Sequence, residues 1–226
     1  MTLSEQLAAF KSEFAKSAPE GRVALYEAKI AELAADFARR EPVGVGQGAP
    51  DFTMPNARGG TVTLSDLLRE GPVVLTFYRG GWCPYCNLQL RAYQEFLPDF
   101  QALGARLVAV SPQNPDNSLS TAEANALSFD VLSDVGNHVA RDYGLAYTLP
   151  VELQEALTSV NKILPEINGD GGWDLPVPAT FVIDADGRIA LAHLDIDYRE
   201  RLDPEAILAA LKLIGGTAAY PSAGSR

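Results

Sequence analysis

GPVVLTFYRGGWCPYCNLQL, residues 71–90, holds both cysteines of the chain, Cys83 and Cys86, and its reading decides the fold. Val73–Phe77 is a compact apolar run suited to a buried strand, and Arg79-Gly80-Gly81-Trp82 is a short loop after it. Cys83-Pro84-Tyr85-Cys86 then opens a helical period that continues over 88–104. Pro84 suits a first helical turn, because its missing N–H breaks no intrahelical bond. The orphan N–H groups and positive end of such a turn favour a thiolate. Two sulfurs within one turn allow an internal disulfide, so one thiol attacks a peroxide or disulfide and the other closes the bond. A metal reading is weaker. One CxxC supplies two ligands where structural zinc takes four, and neither His138 nor His193 has ligand spacing to the pair.

Outward from this stretch the chain alternates strands and helices. ARLVAVS, 105–111, predicts a second strand, followed by a helix over 116–127. PATFVIDADGRIALAHL, 178–194, predicts two antiparallel strands around the turn Asp184-Ala185-Asp186-Gly187, and 204–213 a closing helix with Asp203 as its cap. That order predicts a layered α/β domain over 42–214. Upstream, Leu3, Leu7, Phe10, Phe14 and then Val23, Tyr26, Ile30, Leu33, Phe37 recur at helical spacing, giving an N-terminal helical extension over 1–41. These helices suit cover over the main domain or a homodimer contact. Residues 150–177 interrupt the domain as a helical insert with an apolar stripe at Leu153, Leu157, Val160 and Leu164. Its Gly-rich end carries Trp173, expected to turn toward the cysteine loop and shape a pocket. The acidic residues there do not complete a calcium-loop pattern. Residues 215–226 read as a frayed tail.

The 226 residues carry a formal net charge of -11, from 29 acidic against 18 basic residues. That balance opposes general nucleic-acid binding, which needs clustered Lys and Arg to meet phosphate. The N-terminus lacks the basic start and apolar run of a signal peptide, and no window approaches the roughly 18 apolar residues of a membrane span. A cytoplasmic location, with the thiols reduced at rest, is the expectation.

Ala49-Pro50-Asp51-Phe52, Leu64-Ser65-Asp66-Leu67, Phe77-Tyr78-Arg79 and the cysteine loop, with Leu132-Ser133-Asp134, Tyr143-Gly144 and Thr180-Phe181-Val182-Ile183-Asp184, carry a resemblance. From about Gly48 to Ile189 the chain resembles the peroxiredoxin-like branch of the alkyl hydroperoxide reductase and thiol-specific antioxidant family, in the thioredoxin-fold superfamily. The resemblance implies a thioredoxin fold with a central mixed sheet. It also implies an antioxidant oxidoreductase, a thiol peroxidase that reduces hydroperoxides without metal, flavin or haem and is recycled by a thioredoxin- or glutathione-like donor. The family motif Pro-x-x-x-Thr/Ser-x-x-Cys places its peroxidatic cysteine on Cys86, its Thr on Cys83 and its Pro on Arg79. The family's Arg before the Thr-Phe strand falls on Pro178.

These departures are similar to the reductase side of the superfamily. Trp82-Cys83 looks like thioredoxin, Cys83-Pro84-Tyr85-Cys86 matches glutaredoxin, and Pro178 sits where such reductases place a cis proline facing the pair. That analogy assigns attack to Cys83; the peroxiredoxin analogy assigns it to Cys86. Position favours Cys83 for attack on a protein disulfide, since the loop–helix junction is nearer solvent than the turn below. Supporting or substrate-binding roles are expected at Arg79, Trp82, Pro84, Tyr85, Trp173 and Pro178. A thiol-disulfide oxidoreductase is the first alternative function, and a redox sensor or interaction protein acting through its N-terminal helices the second.

Overall fold

The computed structural model describes residues 1–218. The chain runs α1 (Leu3–Ser17), α2 (Arg22–Phe37), β1 (Thr53–Pro55), β2 (Thr61–Thr63), α3 (Leu64–Leu68) and β3 (Val73–Phe77). It continues through α4 (Pro84–Ala102), β4 (Arg106–Ser111), α5 (Pro115–Ala124), β5 (Asp130–Ser133), α6 (His138–Asp142) and β6 (Ala146–Thr148). Then follow α7 (Val151–Thr158), α8 (Leu164–Asn168), β7 (Asp174–Pro176), β8 (Ala179–Ile183), β9 (Ile189–Leu194) and α9 (Pro204–Ala218).

A five-stranded sheet in the order β5-β4-β3-β8-β9 organises the molecule. β3 pairs parallel with β4 and antiparallel with β8, so the sheet is mixed, as expected. Every residue of β3 is buried, because helices and loops cover both faces of the sheet. Alternation splits the strand between two cores. Val74 packs with Leu90, Tyr93, Phe100 and Ile207 beneath α4 and α9, while Val73, Leu75 and Phe77 join Phe52, Leu64, Tyr143 and Phe181 on the other side. Full burial of each such side chain contributes about 1.5–3 kcal/mol before entropy is counted. The two cysteines belong to the first of these cores.

The expected N-terminal pair forms and lies over the domain. Thr2 and Glu5 make a capping box at the start of α1, and Leu3 and Leu7 anchor that helix in the core beside α4. Asp203, expected to cap the closing helix, turns its carboxylate to α1, where Ser4 N and Oγ donate to it at 3.0 and 2.7 Å. The closing helix also runs further than predicted, to Ala218, through the first residues of the expected tail; residues 219–226 lie outside the described residues.

The insert differs from a single helix with a turn. Asn161 takes φ 57°, which breaks the helical stripe between α7 and α8. The expected turn then leads into β7, which pairs antiparallel with β6 through Thr148↔Asp174 and Ala146↔Pro176. Leu149, Leu164, Leu175 and Val177 build a third core beneath it with Phe37 of α2. Among the described residues no helix is long and apolar enough to cross a membrane.

Candidate active site

Strand β3 ends at Phe77, and the glycines of the loop after it let its backbone come close to the side chains that fix it. Gly80 takes φ 138°, and a Cβ there would stand 2.4 Å from Trp82 Nε1. At Gly81 a Cβ would stand 2.2 Å from Thr121 Oγ1. Gln113 Oε1 accepts from Gly81 N at 2.8 Å, and Asn87 Nδ2 donates to the Gly81 carbonyl at 2.8 Å. The loop therefore delivers Cys83 to the N-cap of α4 in an extended conformation, with Pro84 in the first turn, as the sequence predicts.

Both thiols are free and buried, Cys83 with 1% of its surface exposed and Cys86 with none. Cys83, expected to lie nearer solvent than Cys86, is itself buried, because α1, α2 and the insert roof the junction over. The difference between the sulfurs is which space they face. Cys83, and not Cys86, lines a cavity of ≈ 670 Å³. Phe10, Tyr26 and Leu33 of the N-terminal pair wall it on one side, Leu153 and Leu157 of α7 on another, and Trp82 and Tyr198 near the thiol.

Charge separates the two thiols further. A hydrogen bond from Cys86, aided by the guanidinium groups of Arg79 and Arg201 and opposed by burial, lowers the Cys83 pKa to about 5. Burial, then the hydrogen bond to Cys83 and that neighbour's charge, push Cys86 well above the ordinary thiol range. These shifts run in opposite directions, favouring the anion on Cys83 and the proton on Cys86.

Arg79 is buried rather than solvated, at 5% exposure, with its Cζ 4.1 Å from the Tyr198 ring centroid and 5.0 Å from that of Trp82. Those rings lie in cation–π range and shield the charge from water. Tyr85 is also buried, edge-on to Phe10 at 5.0 Å and to Tyr198 at 5.8 Å, and burial pushes its phenol up to about 12. Arg79, Trp82, Pro84 and Tyr85 all line the cavity with Cys83.

Two expected site residues do not join them. Trp173 lies on the far side of α7, against Val151, Gln154 and Glu155, because the β6–β7 ladder begins at the next residue and holds it there. Pro178 is buried beside the start of β8, but Val177–Pro178 is trans, since there is no cis bond among the described residues. The chain passes extended from β7 to β8 at that point. Val177 N donates to Leu145 O, and Pro178 O accepts from Asp195 N, so both residues sit in regular strand-like pairing.

Sequence reasoning missed Arg201. Its Nη2 donates to Cys86 Sγ at 3.4 Å, and its Nε donates to Gln89 Oε1 at 2.7 Å. Gln89 Nε2 in turn donates to Thr76 Oγ1 at 3.0 Å, and Tyr93 Oη shares a 3.2 Å bond with Thr180. A polar chain thus runs from the centre of the sheet to the lower sulfur. The loop that carries Arg201 and Tyr198 is clasped to α2 by Arg199, which meets Glu27 at 2.8 Å and Asp197 at 2.7 Å. No motif marks this loop in the sequence.

The chain is similar to proteins of known sequence and structure. Over 151 residues the chain is 31% identical to a peroxiredoxin of Mycobacterium tuberculosis (strain H37Rv), covering 67% of this chain and 85% of the relative. It is 25% identical over 135 residues to the thiol-disulfide oxidoreductase ResA of Bacillus cereus, covering 59% of this chain and 75% of ResA. The crystal structure of peroxidoxin BcpB from Mycobacterium tuberculosis superposes with a TM-score of 0.60 at 25% identity, over 76% of this chain and 98% of that one. In their names these relatives divide between peroxiredoxin and thiol-disulfide oxidoreductase. With a family model matching residues 45–192, from before β1 into β9 and across both thiols, the chain belongs to the AhpC/TSA family and is a thiol-based redox enzyme.

Proposed function

We propose that the protein reduces organic hydroperoxides, with Cys83 as the attacking thiolate and Cys86 as the resolving thiol. One observation carries this reading: the sulfur that faces the cavity is also the one that holds the anion. The motif correspondence with peroxiredoxins puts the attacking thiol on Cys86, whereas burial beneath the cavity and a retained proton suit Cys86 to the second step.

Cys83 S⁻ attacks the terminal oxygen of R–O–O–H. An S–O bond forms, the O–O bond breaks, and RO⁻ leaves to take a proton from water, giving Cys83–S–OH and ROH. Arg79 beside Cys83 offsets negative charge throughout this step. Cys86–SH then attacks the sulfenic sulfur; the S–S bond forms, the S–O bond breaks, and hydroxide departs with the Cys86 proton as water. Two electrons from an external thiol donor, of thioredoxin or glutathione type, restore the pair. A thiol held below its ordinary range carries more thiolate at neutral pH, which lessens its need for a base to activate it.

Disulfide exchange at Cys83 is the second reading, favoured by the similarity to ResA and by Trp82-Cys83-Pro84-Tyr85-Cys86. With Cys83 at 1% exposure, a folded protein disulfide reaches it only if the N-terminal pair moves. Stopped-flow oxidation by an alkyl hydroperoxide, run beside exchange with a small and a protein disulfide, tests the choice. Fast peroxide consumption with slow protein-disulfide exchange is the expected result; slow peroxide with fast exchange would overturn it.

A further inference from the structure

The protein carries a net charge of -11, yet the cavity wall is cationic. Arg22, Lys29, Arg40, Arg79 and Lys162 line it against only two carboxylates, Glu32 and Asp36. With Cys83 ionised, the wall is still two charges positive. Most of these cations are already engaged. Lys29 is held by Glu152 at 2.8 Å and Glu32 at 3.0 Å, and Arg40 by Asp36 at 2.5 Å. Arg79 faces the Cys83 thiolate, and Arg22 donates to Ala156 O at 3.1 Å and Ser159 Oγ at 3.4 Å.

Lys162 is different. It follows the turn that receives Arg22, and its Nζ lies 5.8 Å from the Trp82 ring centroid. No carboxylate pairs with it among the described residues. Arg22 thus meets the end of α7, and Lys162, just beyond it, lies over Trp82, the residue that precedes Cys83. Phe10, Phe14, Ile30, Leu33, Leu153 and Leu157 form the apolar part of the wall. The first four of these stand on α1 and α2, upstream of the residues that match the family, so this wall belongs to this chain rather than to the family's common core. A cavity of ≈ 670 Å³ is within the about 300–1,000 Å³ of small-molecule sites.

We propose that the cavity binds an amphipathic anion, with an alkyl or aryl body against the α1, α2 and α7 walls and a single carboxylate-like end held by Lys162. Resting on the hydroperoxide reading above, this assigns the preferred substrates to hydroperoxides that carry such an end. Burial of the apolar body supplies affinity. The unpaired ammonium supplies the choice of charge, because a charge-assisted bond at a partly desolvated wall exceeds a neutral one.

The test is calorimetric titration of the reduced protein with decanoate, decanol and decyltrimethylammonium, which share a chain and differ in charge. Decanoate is expected to bind about ten-fold more tightly than decanol, with the cation weakest. Lys162→Met is expected to bring decanoate to the decanol level, and Lys162→Arg to restore most of the difference. Decanol binding to Lys162→Met serves as the check that the cavity is intact. Equal affinities for the three probes, or an unchanged decanoate affinity in Lys162→Met with decanol still bound, would overturn the proposal. So would failure of every probe in a protein that sedimentation shows to be dimeric through α1 and α2. Steady-state kinetics with a carboxylated alkyl hydroperoxide and its methyl ester separates the two readings. Decanoate binding without turnover of either peroxide removes the hydroperoxide reading and leaves the site. Equal turnover of both peroxides without decanoate binding removes the site and leaves the reaction.

Discussion

Arg201 Nη2 donates to Cys86 Sγ at 3.4 Å, a contact between residues 115 positions apart. The guanidinium is held from its other edge by Gln89, itself bonded to Thr76 on the central strand, so its placement is a property of the sheet. Together with Arg79 it surrounds two thiols with two charges in a region that water scarcely reaches. This explains how a buried pair carries an anion at all.

Alkylation should discriminate sharply between the two sulfurs. Cys83 is expected to react with iodoacetamide along a titration centred at about 5, while Cys86 stays unreactive through the neutral range. Because the Cys86 thiol is the largest influence lowering the Cys83 value, Cys86→Ala should move that titration upward. Peptide mapping after alkylation at a series of pH values measures both; preferential labelling of Cys86 would refute the assignment.

Single cysteine variants divide the steps. Cys86→Ser should complete one peroxide turnover and accumulate a sulfenic acid at Cys83, trapped by dimedone. Cys83→Ser should form none, and its peroxide rate should fall by about 10³-fold or more, as for loss of a nucleophile. Dimedone on Cys86 in Cys83→Ser, at a rate near that of the parent protein, would return the attacking role to Cys86.

Arg79→Met removes a buried charge beside the thiolate while keeping the volume. The Cys83 titration should rise by roughly one to two units, and each unit lowers the thiolate fraction about ten-fold at acidic pH. Arg201→Met should raise it less and slow disulfide closure, since that group sits on Cys86. Thiolate ultraviolet absorbance against pH reports the first effect, and the lifetime of the sulfenic acid reports the second.

The same pair makes stability depend on pH. Cys83 is depressed in the folded protein to about 5 from an ordinary 9.0, so its contribution is full above the unfolded value and is lost as pH falls toward 5. Cys86 is raised, so its contribution is full below 9.0 and is lost above it. Reduced protein should therefore gain stability from pH 5 toward 9 through Cys83, and Cys83→Ser should lose that part of the slope. Urea unfolding in the presence of reductant, parent against variant, gives the difference; parallel curves would count against a buried thiolate.

Gly80→Ala meets both an unfavourable φ of 138° and the Trp82 indole at 2.4 Å. A loss of roughly 1–3 kcal/mol is expected from strain and overpacking together. Because Trp82 and Arg79 move with the loop, the Cys83 titration should shift in the same variant. Urea unfolding and alkylation on one sample test both, and an unchanged midpoint would show that the loop relaxes freely.

Short-range chemistry made much of this legible in the sequence. An apolar run, a glycine loop and Cys-Pro-x-Cys at a helix start are local signals, and they predicted β3, the loop, the opening of α4 and the thiol-redox class. Helical spacing likewise predicted α1 and α2 and the cover they provide. The periodic stripe in the insert was visible too, but not the break at Asn161 or the strand that follows.

What remained was decided where distant segments meet. Cys83 and Cys86 are the same residue type three positions apart, and the sequence alone does not say which of them favours the anion. That division comes from the hydrogen bond Cys86 gives Cys83, from burial acting on Cys86, and from Arg79 and Arg201 around the pair, while only Cys83 lines the cavity that α1, α2 and α7 enclose. Trp173 shows the converse, since its neighbours in the sequence suggested a place by the cysteine loop and the β6–β7 pairing holds it elsewhere, while at Pro178 the resemblance suggested a cis bond and the chain is trans. Sequence by itself determined the reactive groups, because thiol reactivity and helix-start geometry are local. Only the tertiary structure separates the two thiols, because burial and nearby charge set a pKa, and part of that charge, Arg201, lies more than a hundred positions away in the chain.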